Sequence, residues 1–131
     1  MTRMSEKRFR EIIKEKPSLL NGMVFPEKKP KYKSVKVRVD GIPFDSMKEA
    51  NYYSELKIRK RIGEIVGFAL QPRFILQDGE GTSIEYRADF IEFYPDGKYK
   101  VVDTKGMKTE VFKLKEKLFK NTFPSIELIL I

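Results

Sequence analysis

Asp103 and Lys105 stand two residues apart where the apolar, β-branched run Val101-Val102 gives way to Gly106. Acidic and basic side chains are depleted in strands, so their presence at such a strand end needs a cause. Carboxylates bind hard divalent cations through oxygen, and an ammonium beside them can hold a water molecule or steady charge developing on a phosphate. Asp89 supplies a second carboxylate. Between it and Asp103 lies Tyr94-Pro95-Asp96-Gly97-Lys98, and Pro-Asp-Gly fits a type I turn with a left-handed glycine, closing a three-residue hairpin loop. In that register Tyr94 faces Lys98 and Asp89 faces Asp103, with β-carbons about 4.5–5.5 Å apart on one sheet face. A slip of one residue cancels the pairing. Two carboxylates that close repel, and burial raises at least one pKa; a shared Mg²⁺ or Mn²⁺ removes the conflict. Lys105 falls on the same face as Asp103, roughly 6–7 Å along the strand. The competing reading is a salt bridge from Lys105 to Asp89 or Asp103 on a solvated face. Companions on those faces, Tyr99, Val101, Ile91 and Phe93, favour a partly buried cluster, where unpaired acids are costly.

Composition narrows the chemistry further. The chain has 131 residues, enough for one domain with a modest core. It contains no cysteine and no histidine, which excludes disulfides, thiolate nucleophiles, Ser-His-Asp triads and zinc held by sulfur or imidazole. Lys and Arg number 27 against 19 Asp and Glu, a formal charge of +8 that suits an anionic partner, most simply nucleic acid. A merely soluble basic protein is the plainer reading of the same charge. No apolar run approaches the roughly 18 residues of a membrane span, and the charged N-terminus lacks a signal-peptide core, so a cytoplasmic location is expected.

The elements that must position these residues follow from patterning. Residues 1–34 read as an appendage: Ser5 caps a short helix over "EKRFREIIKEK", Pro17 ends it, and "NGMVFPEKKPKYKS" continues as a basic extended arm. Residues 35–131 form the main domain. Val35, Val37 and Val39 alternate with Lys36 and Arg38, Asp40-Gly41 turns the chain, and Ile42 to Phe44 return as a strand. Lys36 on an edge strand serves either DNA contact or protection against aggregation. A helix follows, capped by Asp45 or Ser46 and closed by Gly63. Strands are expected over 70–77, 82–94 and 98–105, a second helix over 109–121, and a closing strand "SIELILI" covered on both faces. Val111, Leu114 and Leu118 are spaced to pack that helix on the sheet. Lys113, Lys117 and Lys120 line another face, as ordinary solvated surface or as phosphate contacts. The sum is an α/β fold with a mixed central sheet.

Asp89 with Asp103-Thr104-Lys105 is similar to the acid … (Asp/Glu)-X-Lys pattern of the PD-(D/E)XK, or restriction-endonuclease-like, nuclease superfamily, with Ala88 where the pattern name has proline. The combination "FDSMKEANYY", "LQPRF", "YRADF" and "VVDTKG" also resembles a family of small phage-encoded proteins in that superfamily, over about residues 32–120. The resemblance implies a restriction-endonuclease-like core with flanking helices. It also implies a Mg²⁺- or Mn²⁺-dependent deoxyribonuclease in which Glu49, Asp89 and Asp103 hold metal, the Thr104 carbonyl is a further ligand, and Lys105 assists hydrolysis. Glu49 has a rival explanation, since Ser46-Met47-Lys48-Glu49 is a capping box. Gln71 sits where such folds carry auxiliary polar residues, although a strand-end hydrogen bond accounts for it equally. Arg73 and Lys108 complete the candidate DNA contacts. Small size, basic charge and the arm resemble phage junction-resolving endonucleases, which implies a homodimer acting on branched DNA in the host cytoplasm. A nicking or homing-type endonuclease, a non-catalytic DNA-binding accessory protein and a virion structural protein are the alternatives.

Overall fold

A computed structural model of the chain describes residues 6–23, 36–104 and 107–131. They belong to two compact units, Met1–Gly63 and Glu64–Ile131. Ser5, most of the basic arm, Lys105 and Gly106 lie outside the described residues.

In the first unit, helix α1 (Glu6–Glu15) is followed by a 3-10 turn (Pro17–Leu20) that starts on proline, where a missing N–H costs nothing. Strands β1 (Val37–Val39) and β2 (Ile42–Phe44) pair antiparallel across Asp40-Gly41, whose φ angles of 54° and 78° fit a type I′ turn. Helix α2 (Met47–Arg61) begins at Ser46, which accepts the Glu49 N–H at 3.1 Å, and ends before Gly63 at φ 81°. Phe44 packs on Tyr53 with ring centres 5.1 Å apart. Arg61 holds the N-terminal segment by donating to the Leu19 and Asn21 carbonyls at 2.5 and 3.0 Å.

The second unit contains β3 (Gly67–Leu70), β4 (Arg73–Asp78), β5 (Ser83–Arg87), β6 (Phe90–Phe93), β7 (Tyr99–Asp103), α3 (Glu110–Thr122) and β8 (Glu127–Leu130). A four-stranded mixed sheet runs in the order β3-β6-β7-β8, with β8 parallel to β7 through α3 and the other pairs antiparallel. The fold is therefore mixed α/β, as expected. The β6–β7 register is the one read from Pro-Asp-Gly: Phe90 faces Val102 and Phe93 faces Tyr99. Gly97 has φ 85°, and the Tyr94 N–H donates to the Lys98 carbonyl at 2.8 Å.

Three expectations need correction. The runs 70–77 and 82–94 are each broken, at Gln71-Pro72 and at Ala88-Asp89. The backbone bonds Gln71 N–H to Asp89 O (2.8 Å) and Ala88 N–H to Pro72 O (3.1 Å) nevertheless carry the pairing through the break. One long ribbon is thus bent, and its outer part, β4–β5, leaves the sheet to contact α3. Gln71 makes the bend with φ 50°, a left-handed conformation uncommon outside glycine. Second, α3 does not bury Val111 and Leu114, which are 65% and 57% exposed; Phe112 and Phe119 fill the core instead, with Leu118 beside them. Two aromatic rings one heptad apart remove more apolar area from water than the aliphatic stripe. Third, β8 is an edge strand, with Glu127 exposed and Leu128 to Leu130 half-buried, so it is not covered on both faces.

The core of this unit gathers Leu76, Tyr86, Ala88, Val101, Phe112 and Phe119 on the sheet face that also carries Asp103. The opposite face holds a buried charged pair in register, Glu92 opposite Lys100, with the Tyr94 hydroxyl donating to Glu92 Oε1 at 2.8 Å.

Candidate functional site

Asp103 closes β7 and is 2% exposed; Asp89 sits in the bend just before β6. Each acid lies one residue beyond Phe90–Val102, the last pairing of the β6–β7 ladder. Each carboxylate is pinned by neutral donors. The Thr104 N–H and hydroxyl both donate to Asp89 Oδ2, at 2.8 and 2.7 Å. The Tyr86 hydroxyl donates to Asp103 Oδ2 at 2.5 Å, and the Asp103 carbonyl accepts from the Ile131 N–H at 3.0 Å. Burial pushes the Tyr86 phenol far above its ordinary pKa. Its bond to Asp103 and the negative charges of Asp103, Asp89 and Glu116 push in the same direction. Tyr86 is therefore a permanent donor at physiological pH.

The donor chemistry fits a hard cation: two carboxylates, oxygen only, each fixed through one oxygen by a hydrogen bond. Among the described residues no group of three or more acidic side chains is arranged to hold an ion, so within this unit the acids form a pair.

The remaining expected residues are spread more widely. Glu49, in the first unit, is 9% exposed, and its Oε2 accepts the Asp45 N–H at 3.0 Å. The capping box is thus present but shifted, the acid reaching the residue before the cap. Lys105 lies outside the described residues. Thr104 reaches the pair through its amide and hydroxyl, an anchoring part the sequence did not suggest. Gln71 acts through its backbone: its side chain is exposed while its N–H holds the Asp89 carbonyl.

Of the candidate DNA contacts, Lys36 and Arg38 belong to the first unit and are exposed, Lys36 3.9 Å from Asp45 and Arg38 3.5 Å from the Gly41 carbonyl. In the second unit Arg73 pairs with Glu85 at 2.6 Å, Lys108 with Glu116 at 3.3 Å and Lys113 with Glu110 at 3.3 Å. Lys117 and Lys120 are exposed on α3 and make no ion pair among the described residues. Tyr86 is the residue that sequence reasoning missed. The available signal was its inward position in "IEYRADF", since a buried tyrosine hydroxyl needs an acceptor and Asp89 follows three residues later.

No helix among the described residues is long and apolar enough to cross a membrane. No curated protein and no solved structure matches the chain. A family model described as "Protein of unknown function (DUF1064)" matches residues 29–131, most of the chain and all of the Asp89–Asp103 site, and the chain belongs to that family.

Proposed function

We propose that this protein is a divalent-metal-dependent DNA endonuclease of the PD-(D/E)XK type, with Asp89 and Asp103 holding Mg²⁺ or Mn²⁺. The observation that carries the reading is the placing of these two acids beside one strand end, Asp103 held by the Tyr86 hydroxyl and Asp89 by Thr104, the residue after Asp103. When bound, the ion supplies Lewis-acid polarisation of a phosphodiester oxygen. The chain's own contribution is positional. Thr104 fixes Asp89 and Tyr86 fixes Asp103, so neither carboxylate must reorganise as charge builds. Lys105 enters through the resemblance, as the ammonium that orients a water molecule or steadies the reacting phosphate. Lys117 and Lys120, with the net charge of +8, supply attraction to the DNA backbone.

A non-catalytic DNA-binding protein is the second reading, favoured by the structural use of both carboxylates, which already accept hydrogen bonds within the fold. One experiment separates the two. Purified protein is incubated with linear duplex, single-stranded and four-way-junction DNA in Mg²⁺, Mn²⁺ or EDTA, beside Asp103→Asn and Asp89→Asn. Loss of an outer-shell partner already costs about 10–100-fold at metal sites, so removing a ligand should cut cleavage by about 10²-fold or more while DNA affinity holds. Preferential cutting of the junction would support branched DNA as substrate. Binding without cleavage under every condition would favour the accessory protein.

A further inference from the structure

We infer that Tyr86 is a positioning residue that sets the cation affinity of the Asp89–Asp103 pair by fixing the Asp103 carboxylate. The inference rests on the metal-site reading above and goes beyond the acids themselves. Tyr86 is 2% exposed and its hydroxyl lies 2.5 Å from Asp103 Oδ2. Holding one oxygen of a carboxylate fixes the plane of the group, and so the direction of the other oxygen.

The ring is held from three sides. Phe112 and Phe119 of α3 meet it edge-on, with centroids 6.0 and 5.6 Å away, and Phe74 of β4 stacks on it at 6.4 Å. The bend at Gln71-Pro72 is what delivers it. Were β4–β5 to continue straight along the sheet, the hairpin would not turn to contact α3. The bend thus touches both acids: the Gln71 N–H there donates to the Asp89 carbonyl, and the hairpin it turns brings the Tyr86 hydroxyl to Asp103. Carboxylates that ligate metal are themselves hydrogen-bonded, so the Tyr86 hydroxyl would orient Asp103 as a ligand.

Tyr86→Phe keeps the ring and removes the hydroxyl. Binding of Mn²⁺ to the folded full-length protein is measured by titration calorimetry, with a thermal melt of the same samples. The expected result is a loss of Mn²⁺ affinity of about 10–100-fold relative to wild type. A purely structural tyrosine would lower the melting temperature and leave the affinity of the folded protein unchanged, and that result overturns the inference alone. Absence of Mn²⁺ binding by wild type overturns the metal-site reading and the inference together.

A second measurement needs no substitution. With ring-labelled tyrosine in wild type, the Tyr86 signal is identified among six tyrosines by its proximity to the Phe112 and Phe119 rings. It should move on addition of Mg²⁺. An unmoved signal at saturating Mg²⁺ overturns the inference.

Discussion

Asp40 is a residue the backbone holds in the left-handed region and whose side chain is then used to tie a turn to a helix. Its Oδ2 accepts from Lys57 Nζ at 2.6 Å and from the Tyr53 hydroxyl at 2.9 Å. The Lys57 bond, helped by the Tyr53 bond and opposed by burial, holds the carboxyl below its usual pKa. Burial first, and then Asp40, push Tyr53 up to about 12. The signs fix a window. A depressed acid stabilises the fold above its unfolded pKa of 3.8, and this is lost as pH falls through the lower folded value. A raised phenol stabilises below its unfolded value of 10.0, and this is lost as pH rises toward about 12. Asp40→Asn keeps a side chain that tolerates the left-handed conformation but removes the charge. It should cost about 1 kcal/mol at neutral pH, a modest figure because the pair is partly exposed. Melts recorded against pH should show that cost constant through neutrality, shrinking below about pH 4 as the unfolded chain's Asp40 takes up a proton, and gone once pH has fallen through the lower folded value.

Helix α3 carries two apolar stripes, and they can be told apart by their cost of removal. Phe119 is fully buried, touching Phe74, Tyr86 and Phe123, whereas Leu114 is 57% exposed. Phe119→Ala should destabilise by about 3–5 kcal/mol in chemical denaturation, and Leu114→Ala by no more than about 0.5 kcal/mol. Equal costs would mean the helix packs on the face read from the sequence. Aliphatic spacing alone points to the wrong face, because Phe112 and Phe119 beside it remove more apolar area from water. Local chemistry was easier to read. Pro95-Asp96-Gly97 specifies its own turn, so the β6–β7 register from Phe90–Val102 to Phe93–Tyr99 is legible from a few neighbouring residues. The bend was not read, although Pro72 inside an apolar run argues against an unbroken strand. Missing it hid Tyr86, because a hydroxyl contributed by a hairpin that has left the sheet cannot be found by counting along β6 and β7.

Charge acts at the scale of the whole chain. A formal +8 and a sequence pI near 9.6 give an attraction for polyanions that does not depend on the bases. Helix α1, which precedes the residues matched by the family model, sets Lys7, Arg8, Arg10 and Lys14 against Glu6, Glu11 and Glu15, a net +1, so it carries only a small part of this charge. If the proposed endonuclease reading holds, retention of the DNA backbone falls to the exposed cations. If about six phosphates are neutralised, affinity for duplex DNA should fall by about 10³-fold between 50 and 200 mM salt, whatever the sequence. Lys117→Ala and Lys120→Ala should each lower the magnitude of the log–log salt slope by about one, as each removes a cation not engaged in an ion pair among the described residues. Lys113→Ala should lower it less, because Glu110 already shares that charge. Fluorescence anisotropy of labelled duplexes across a salt series reads all three slopes. A flat salt dependence in wild type would remove nucleic acid as the partner, and buried Asp103 and half-buried Asp89 would then have to be explained as part of the fold alone.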